Sequence, residues 1–167
     1  GVSTWQCIDE TVTLYKDISG SMKAKTKLLL FSHMIDVVKE KYGNNKDIII
    51  QTFQPEELEK ALCAGDYAFL LRKDNIINRV AFPNKFLEYL RGGMKVITTS
   101  AVSDVSWQVN NFDVGIIYEW GQDIDILISK LQSSTHNYKM YYETVRKVLD
   151  YNSFMVRLKP FVEEIKQ

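Results

Sequence analysis

Arg72, Lys73, Arg79 and Lys85 lie in a segment, Arg72 to Lys85, that holds a single acid, Asp74, in a chain whose formal net charge is zero. Three net positive charges so close together attract an anion. Pro83-Asn84-Lys85 then opens an amphipathic stretch, and the start of a helix presents unpaired backbone amides at its positive end, so a phosphate is held there without a dedicated side chain. Lys85, with Arg72 or Arg79, adds charge-assisted bonds to the same anion. Glu88 stands three residues after Lys85, off the stripe formed by Phe86, Leu87 and Leu90. Helical side chains lean toward the N-terminus, so its carboxylate points back to the cleft and can accept two hydroxyl hydrogen bonds, as a ribose diol supplies. The plain alternatives are a solvated cationic loop and a first-turn glutamate favoured by the helix dipole.

These residues need a scaffold. Short apolar runs alternate with helical stretches, the pattern of a parallel sheet with crossover helices. Strands are predicted at Lys27 to Ser32, Asp47 to Phe53, Asp66 to Leu71, Lys95 to Thr99 and Val114 to Glu119. Several are almost continuously apolar, as when both sheet faces are covered. Helices are predicted over Trp5 to Asp17, Met34 to Tyr42, Pro55 to Ala64, Pro83 to Arg91, Ser103 to Asn110 and Ile124 to Leu131, with a helical tail over Asn137 to Tyr151 and Phe154 to Lys166. The expected architecture is α/β and Rossmann-like: about five to six parallel strands, helices on both faces, over 1–135, with the tail as 136–167. The helix from Trp5 reads as a crossover whose upstream strand is not in the sequence, so a fragment is expected.

In open α/β sheets ligands bind beyond the carboxyl ends of the strands. That edge carries Gly1 to Thr4, Ser32 to Ile35, Thr52 to Pro55, Arg72 to Pro83, Thr99 to Asp104 and Glu119 to Asp123. The segment from Arg72 to Pro83 exceeds the roughly two to six residues usual for such a loop, and long ordered loops are often functional. Ser19-Gly20-Ser21 has the composition of a phosphate loop but precedes a strand, so it reads as a plain turn. His33 follows a buried strand near the cleft, where a lone histidine is ordinarily structural, and His136 reads as a surface residue.

The chain has 167 residues, 46% hydrophobic and 25% charged, enough for one domain with a core. Its 21 basic and 21 acidic residues argue against a general nucleic-acid binder. Cys7 and Cys63 show neither CxxC nor zinc spacing and read as reduced cytosolic thiols packed in helices. No apolar run reaches the about 18 to 20 residues that span a bilayer. HExxH, GxSxG, Walker and paired-carboxylate metal motifs do not occur, so no metal site is expected and a self-contained hydrolase is not supported.

Asp66-Tyr67-Ala68-Phe69-Leu70-Leu71-Arg72-Lys73-Asp74, followed by Phe82-Pro83-Asn84-Lys85-Phe86-Leu87-Glu88-Tyr89-Leu90-Arg91-Gly92-Gly93-Met94-Lys95-Val96-Ile97, resembles the donor-binding signature of GT-B glycosyltransferases, in particular the retaining family 4 type, also called group 1. Gly1-Val2-Ser3-Thr4-Trp5-Gln6 resembles the glycine-containing loop after that domain's first strand. The resemblance implies the C-terminal half of a two-domain hexosyltransferase, with Glu88 on the donor ribose, the backbone amides around Pro83 and Asn84 on the diphosphate, Lys85 and Arg72 as further phosphate contacts, and Phe53 and Gln54 beside the base. Arg79 and His33 are weaker candidates. It also implies a nucleotide-diphosphate sugar as donor, no required cofactor, and a polysaccharide or glycolipid acceptor. Catalytic residues would come largely from an N-terminal acceptor domain outside this chain, leaving the fragment inactive alone. The location implied is cytoplasmic, with peripheral docking of the longer protein at the inner membrane face.

Three departures stand out. Many relatives carry an acid eight positions before the glutamate, where this chain has Val80. The Arg and Lys that commonly follow the first strand have no counterpart among Gly1 to Lys16, and Lys95 replaces the usual proline before Val-Ile. Two other readings are a nucleotide-sugar 2-epimerase, which would need more acids and histidines at the cleft, and a non-enzymatic Rossmann-like interaction module such as a receiver, which would need acids where His33 and Phe53 stand.

Overall fold

The computed structural model describes residues 6–134 and 138–153. In chain order the elements are α1 (Ile8–Ser21), β1 (Leu28–Phe31), α2 (Ile35–Tyr42), β2 (Ile48–Gln51), α3 (Pro55–Leu62), β3 (Tyr67–Leu70), α4 (Ile76–Val80), α5 (Asn84–Arg91), β4 (Lys95–Thr98), α6 (Ser103–Phe112), β5 (Gly115–Ile117), α7 (Ile124–Ser133) and α8 (Tyr138–Asn152). The α/β architecture with parallel strands and flanking helices is therefore as expected, and each predicted strand appears, shorter at its ends. Pairing differs from a single continuous sheet. β1 and β2 form one parallel pair, and β3, β4 and β5 form a second parallel sheet with β4 in the middle.

Alternation along the strands sends side chains to two cores. Leu70, Val96 and Ile117 face α5, α6 and α8, packing with Phe86, Leu90, Val105, Val109 and Val148, and Val114, just before β5, joins them. Leu71, Ile97 and Ile116 face the other way, onto Leu14 and Ile18 of α1 and Leu127 and Leu131 of α7. A third cluster joins Val12 and Tyr15 of α1 to Leu28 and Ile48. All four residues of β4 are buried, since it has strands on both edges and helices on both faces. The β4–β5 contact requires Gly115, because a Cβ there would lie 2.0 Å from the Val96 carbonyl oxygen.

Several local expectations are corrected. Ser19-Gly20-Ser21 is not a turn but the last residues of α1, whose end is closed by the Met22 N–H donating to Ile18 O. Nothing packs where a Gly20 Cβ would be, so a side chain there would meet no clash. The segment after β3 contains a helical turn of its own, α4, because the Asn75 side chain accepts from the Asn78 N–H and caps it. Pro83 precedes α5 as its cap rather than forming its first residue. Of the cysteines, Cys7 is buried at the start of α1 in a left-handed conformation (φ 51°), whereas Cys63 is exposed beyond α3. His136 and the predicted helix Phe154 to Lys166 lie outside the described residues.

Candidate functional site

Two residues with opposite solvation needs follow β3: Leu71 enters the apolar core and Arg72 comes after it below the surface, only 5% exposed. A guanidinium is kept there because its surroundings are polar on one side. Its Nη1 donates to Leu71 O at 2.8 Å. The Arg72 N–H donates to Thr99 Oγ1 at 3.2 Å, Thr99 Oγ1 donates to Arg72 O at 2.7 Å, and Trp120 Nε1 donates to the same oxygen at 3.2 Å. The ends of β4 and β5 thus fix the arginine at the carboxyl edge of the sheet.

Beyond Arg72 the chain leaves the sheet and returns through α4. Asn78 is buried and its Nδ2 donates to Lys73 O at 2.7 Å, which closes the loop on itself. Phe82 then packs edge-on against Phe86, with ring centroids 5.9 Å apart, and sets the entry to α5. Pro83 has no side-chain acceptor, and Phe86 is the first residue whose N–H bonds back, to Pro83 O at 2.9 Å. The amides of Asn84 and Lys85 are therefore presented at the helix end that favours anions.

Phe86 and Leu90 bury one face of α5, which turns Lys85, Glu88 and Tyr89 toward Arg72. All four line one cavity of about 870 Å³. Burial lowers the Lys85 ammonium below the ordinary lysine value, the nearby Arg72 charge lowers it further, and Glu88 acts the opposite way. Arg72 is likewise held down by burial. Tyr89 is pushed up to about 12 by burial, so it stays a neutral phenol. Two desolvated cations beside each other, with one exposed carboxylate opposite, favour a ligand that carries both anionic oxygens and hydroxyl donors.

The remaining sequence candidates are placed apart from this group. Arg79 makes a bidentate pair with Asp74, both bonds 2.6 Å and both side chains 58% exposed. Phe53 stacks edge-on against Phe31 at 5.0 Å, and Gln54 is an exposed helix cap whose N–H donates to Glu57. His33 is exposed in the turn after β1. All four lie at the carboxyl edge, but none of them lines the cavity that holds Arg72, Lys85 and Glu88. Thr99, Trp120 and Tyr89 were missed as site residues. Tyr89 had a signal, its place beside Glu88, whereas the bonds of Thr99 and Trp120 span 27 and 48 residues and leave no local pattern. Among the described residues no three histidine, cysteine or acidic side chains gather as a metal-ligand set.

With this geometry in view, comparison with solved structures finds WaaG, a glycosyltransferase involved in lipopolysaccharide biosynthesis, superposing with a TM-score of 0.59 at 15% sequence identity over 96% of this chain. The fold is similar to that of a glycosyltransferase domain. At that identity the likeness concerns the fold alone, and this chain spans 43% of the WaaG chain. No family model matches, and no curated protein matches. Among the described residues no helix is long and apolar enough to cross a membrane.

Proposed function

We propose that this chain is the donor-binding domain of a retaining glycosyltransferase, and that the cavity at Arg72, Lys85 and Glu88 takes the nucleoside diphosphate of a sugar donor. The observation that carries the proposal is the convergence of two desolvated cations, one of them in the first turn of α5, and one carboxylate at the carboxyl edge of a glycosyltransferase-like fold. Lys85 and the α5 amides meet the diphosphate, Arg72 adds charge from the end of β3, and Glu88 accepts from the ribose hydroxyls. As the bond between sugar C1 and the diphosphate oxygen breaks, negative charge grows on the departing phosphate, and fixed cations and amides stabilise it without a metal. The acceptor hydroxyl oxygen takes the hexosyl group, releasing a nucleoside diphosphate and a proton. A polysaccharide or glycolipid acceptor and its binding surface belong to a further domain of a longer cytoplasmic protein that docks peripherally on a membrane.

Calorimetric titration of the chain with UDP, GDP, CDP and ADP tests the assignment. Saturable 1:1 binding of at least one diphosphate, weakened in Lys85→Met, is expected. Heat of dilution alone with all four would overturn it.

A further inference from the structure

Trp120 is fixed by the fold in a way that leaves part of its ring in water. It sits in a tight turn after β5, closed by the Gln122 N–H donating to Glu119 O at 3.0 Å and the Glu119 N–H donating to Gln122 Oε1 at 3.1 Å. Gly121 supplies the positive φ of 80° that such a turn requires and that a side chain would strain. The turn carries Trp120 past the end of β4, where its Nε1 donates to Arg72 O at 3.2 Å. Tyr118 braces the indole edge-on, with ring centroids 5.6 Å apart. A ring tied at its polar atom and braced along an edge has a fixed plane. Trp120 nevertheless stays 40% exposed, so the order of the ring is already established before any ligand arrives.

The surroundings of the ring say what it can hold. Arg72 serves both the indole and the anion cavity: Trp120 takes its carbonyl, while its guanidinium turns back to the preceding carbonyl, Leu71 O, at 2.8 Å. Successive residues of an extended chain lie only about 3.3 Å apart along it, so a ligand group on the indole neighbours an anion on the guanidinium. Trp120 itself does not line the cavity of Arg72, Lys85 and Glu88 and therefore stands beyond it. Polar groups fringe the ring. Ser100 Oγ donates to Glu119 Oε2 at 2.9 Å, both residues are exposed, and the carboxylate keeps lone pairs for further hydroxyl donors. An apolar partner laid on Trp120 would desolvate that carboxylate without replacing its hydrogen bonds. A sugar ring satisfies both: its face of C–H bonds lies flat on an indole, and its rim hydroxyls reach Glu119 and Ser100.

We propose that Trp120 is the stacking platform for the sugar of the donor and that Glu119 accepts from one of its hydroxyls. Ribose, diphosphate and hexose then meet Glu88, the Lys85 and Arg72 pair, and Trp120 in that order. This rests on the reading of the cavity as a nucleotide-sugar site and adds the residues that recognise the transferred group. The anomeric carbon is left between the platform and the diphosphate. Glu119 discriminates among sugars by the hydroxyl it meets, since an epimer without that hydroxyl leaves the carboxylate unpaired under the ring.

Titration calorimetry with UDP, GDP, CDP and ADP, each against its sugar form (UDP-glucose, GDP-mannose, CDP-glucose, ADP-glucose), tests this on the wild type, Trp120→Ala and Trp120→Phe. The readout is the ratio of sugar-nucleotide to diphosphate affinity for the base that binds, because a purely structural loss at Arg72 weakens both ligands alike. That ratio should fall by about fivefold or more in Trp120→Ala and change by less than about twofold in Trp120→Phe, which keeps a ring but loses the N–H. In the wild type, nuclear Overhauser contacts should run from hexose C–H protons to the Trp120 indole, a measurement that needs no variant to fold. An unchanged ratio in Trp120→Ala, or hexose contacts that omit Trp120, overturns the platform while the diphosphate site stands. A Phe variant as poor as Ala in that ratio assigns the effect to the indole N–H and overturns stacking. Heat of dilution alone with every ligand overturns the platform and the donor site together.

Discussion

Thr99 grips Arg72 by both polar groups of its backbone: one hydroxyl oxygen accepts from the Arg72 N–H at 3.2 Å and donates to the Arg72 carbonyl at 2.7 Å. Both residues are buried, so these bonds replace water that cannot reach them. In Thr99→Val the side chain keeps its shape but loses the buried hydroxyl that accepts from the Arg72 N–H and donates to the Arg72 carbonyl. A loss of about 1–3 kcal/mol is expected, which for a chain of this size is roughly 2–10 °C in Tm. Nucleotide affinity should fall with it, since Arg72 loses its fixed position. Thermal denaturation of Thr99→Val and Thr99→Ser checks this, and a Ser variant no better than Val removes the hydroxyl from the explanation.

Lys85 carries the pH dependence. Its folded-state pKa is lowered, by burial first and then by Arg72, so the unfolded chain holds this proton more tightly. The group therefore costs stability at neutral pH, and the cost disappears as pH rises through the depressed value toward the ordinary lysine value. A bound diphosphate reverses the balance by favouring the charged amine. Affinity for UDP should then decline with rising pH earlier than ordinary lysine titration would give. In Lys85→Met that alkaline limb should vanish, affinity should drop by roughly ten- to a hundredfold, and the Tm of the free protein should not fall. Titration calorimetry across about pH 7 to 10 decides it, and an unchanged limb in the variant sinks the assignment.

Glu88 is tested best against the ligand group it is proposed to hold. Glu88→Ala should weaken UDP by about 1.5–3 kcal/mol, roughly ten- to a hundredfold, yet leave a 2′,3′-dideoxy diphosphate nearly unchanged. Equal losses for both ligands would place the carboxylate elsewhere than on the ribose.

Arg79 serves as the contrast. Its pair with Asp74 is bidentate but more than half exposed, and such pairs contribute about 0–1 kcal/mol. Arg79→Ala should leave Tm within about 2 °C and UDP affinity within roughly threefold. A tenfold loss of affinity would show that Arg79 leaves Asp74 to reach the ligand.

Gly115→Ala probes the scaffold rather than the site. The added methyl meets Val96 O at 2.0 Å, and only separation of β4 from β5 relieves it. A loss of about 1–3 kcal/mol or more is expected in urea denaturation, and a wild-type midpoint would contradict the close approach.

Much of this molecule is legible along the chain because burial is periodic. Continuous apolar runs such as Leu28 to Phe31 and Tyr67 to Leu70 mark strands covered on both faces, and Phe86 with Leu90 marks the buried side of α5, which leaves Lys85 and Glu88 off it. Local chemistry carried the start of α3 at Pro55 as well. The carboxyl edge follows from the parallel order alone, and with it the neighbourhood of Arg72, Lys85 and Glu88. What the sequence did not determine depends on partners far along the chain. Arg72 is buried because Thr99 and Trp120 reach it from β4 and β5, and Arg79 turns to Asp74 because α4 forms inside a segment that reads as loop. The division into a pair and a triplet of strands likewise appears only in three dimensions, since a strand's own residues specify that it pairs but not which edge finds a partner.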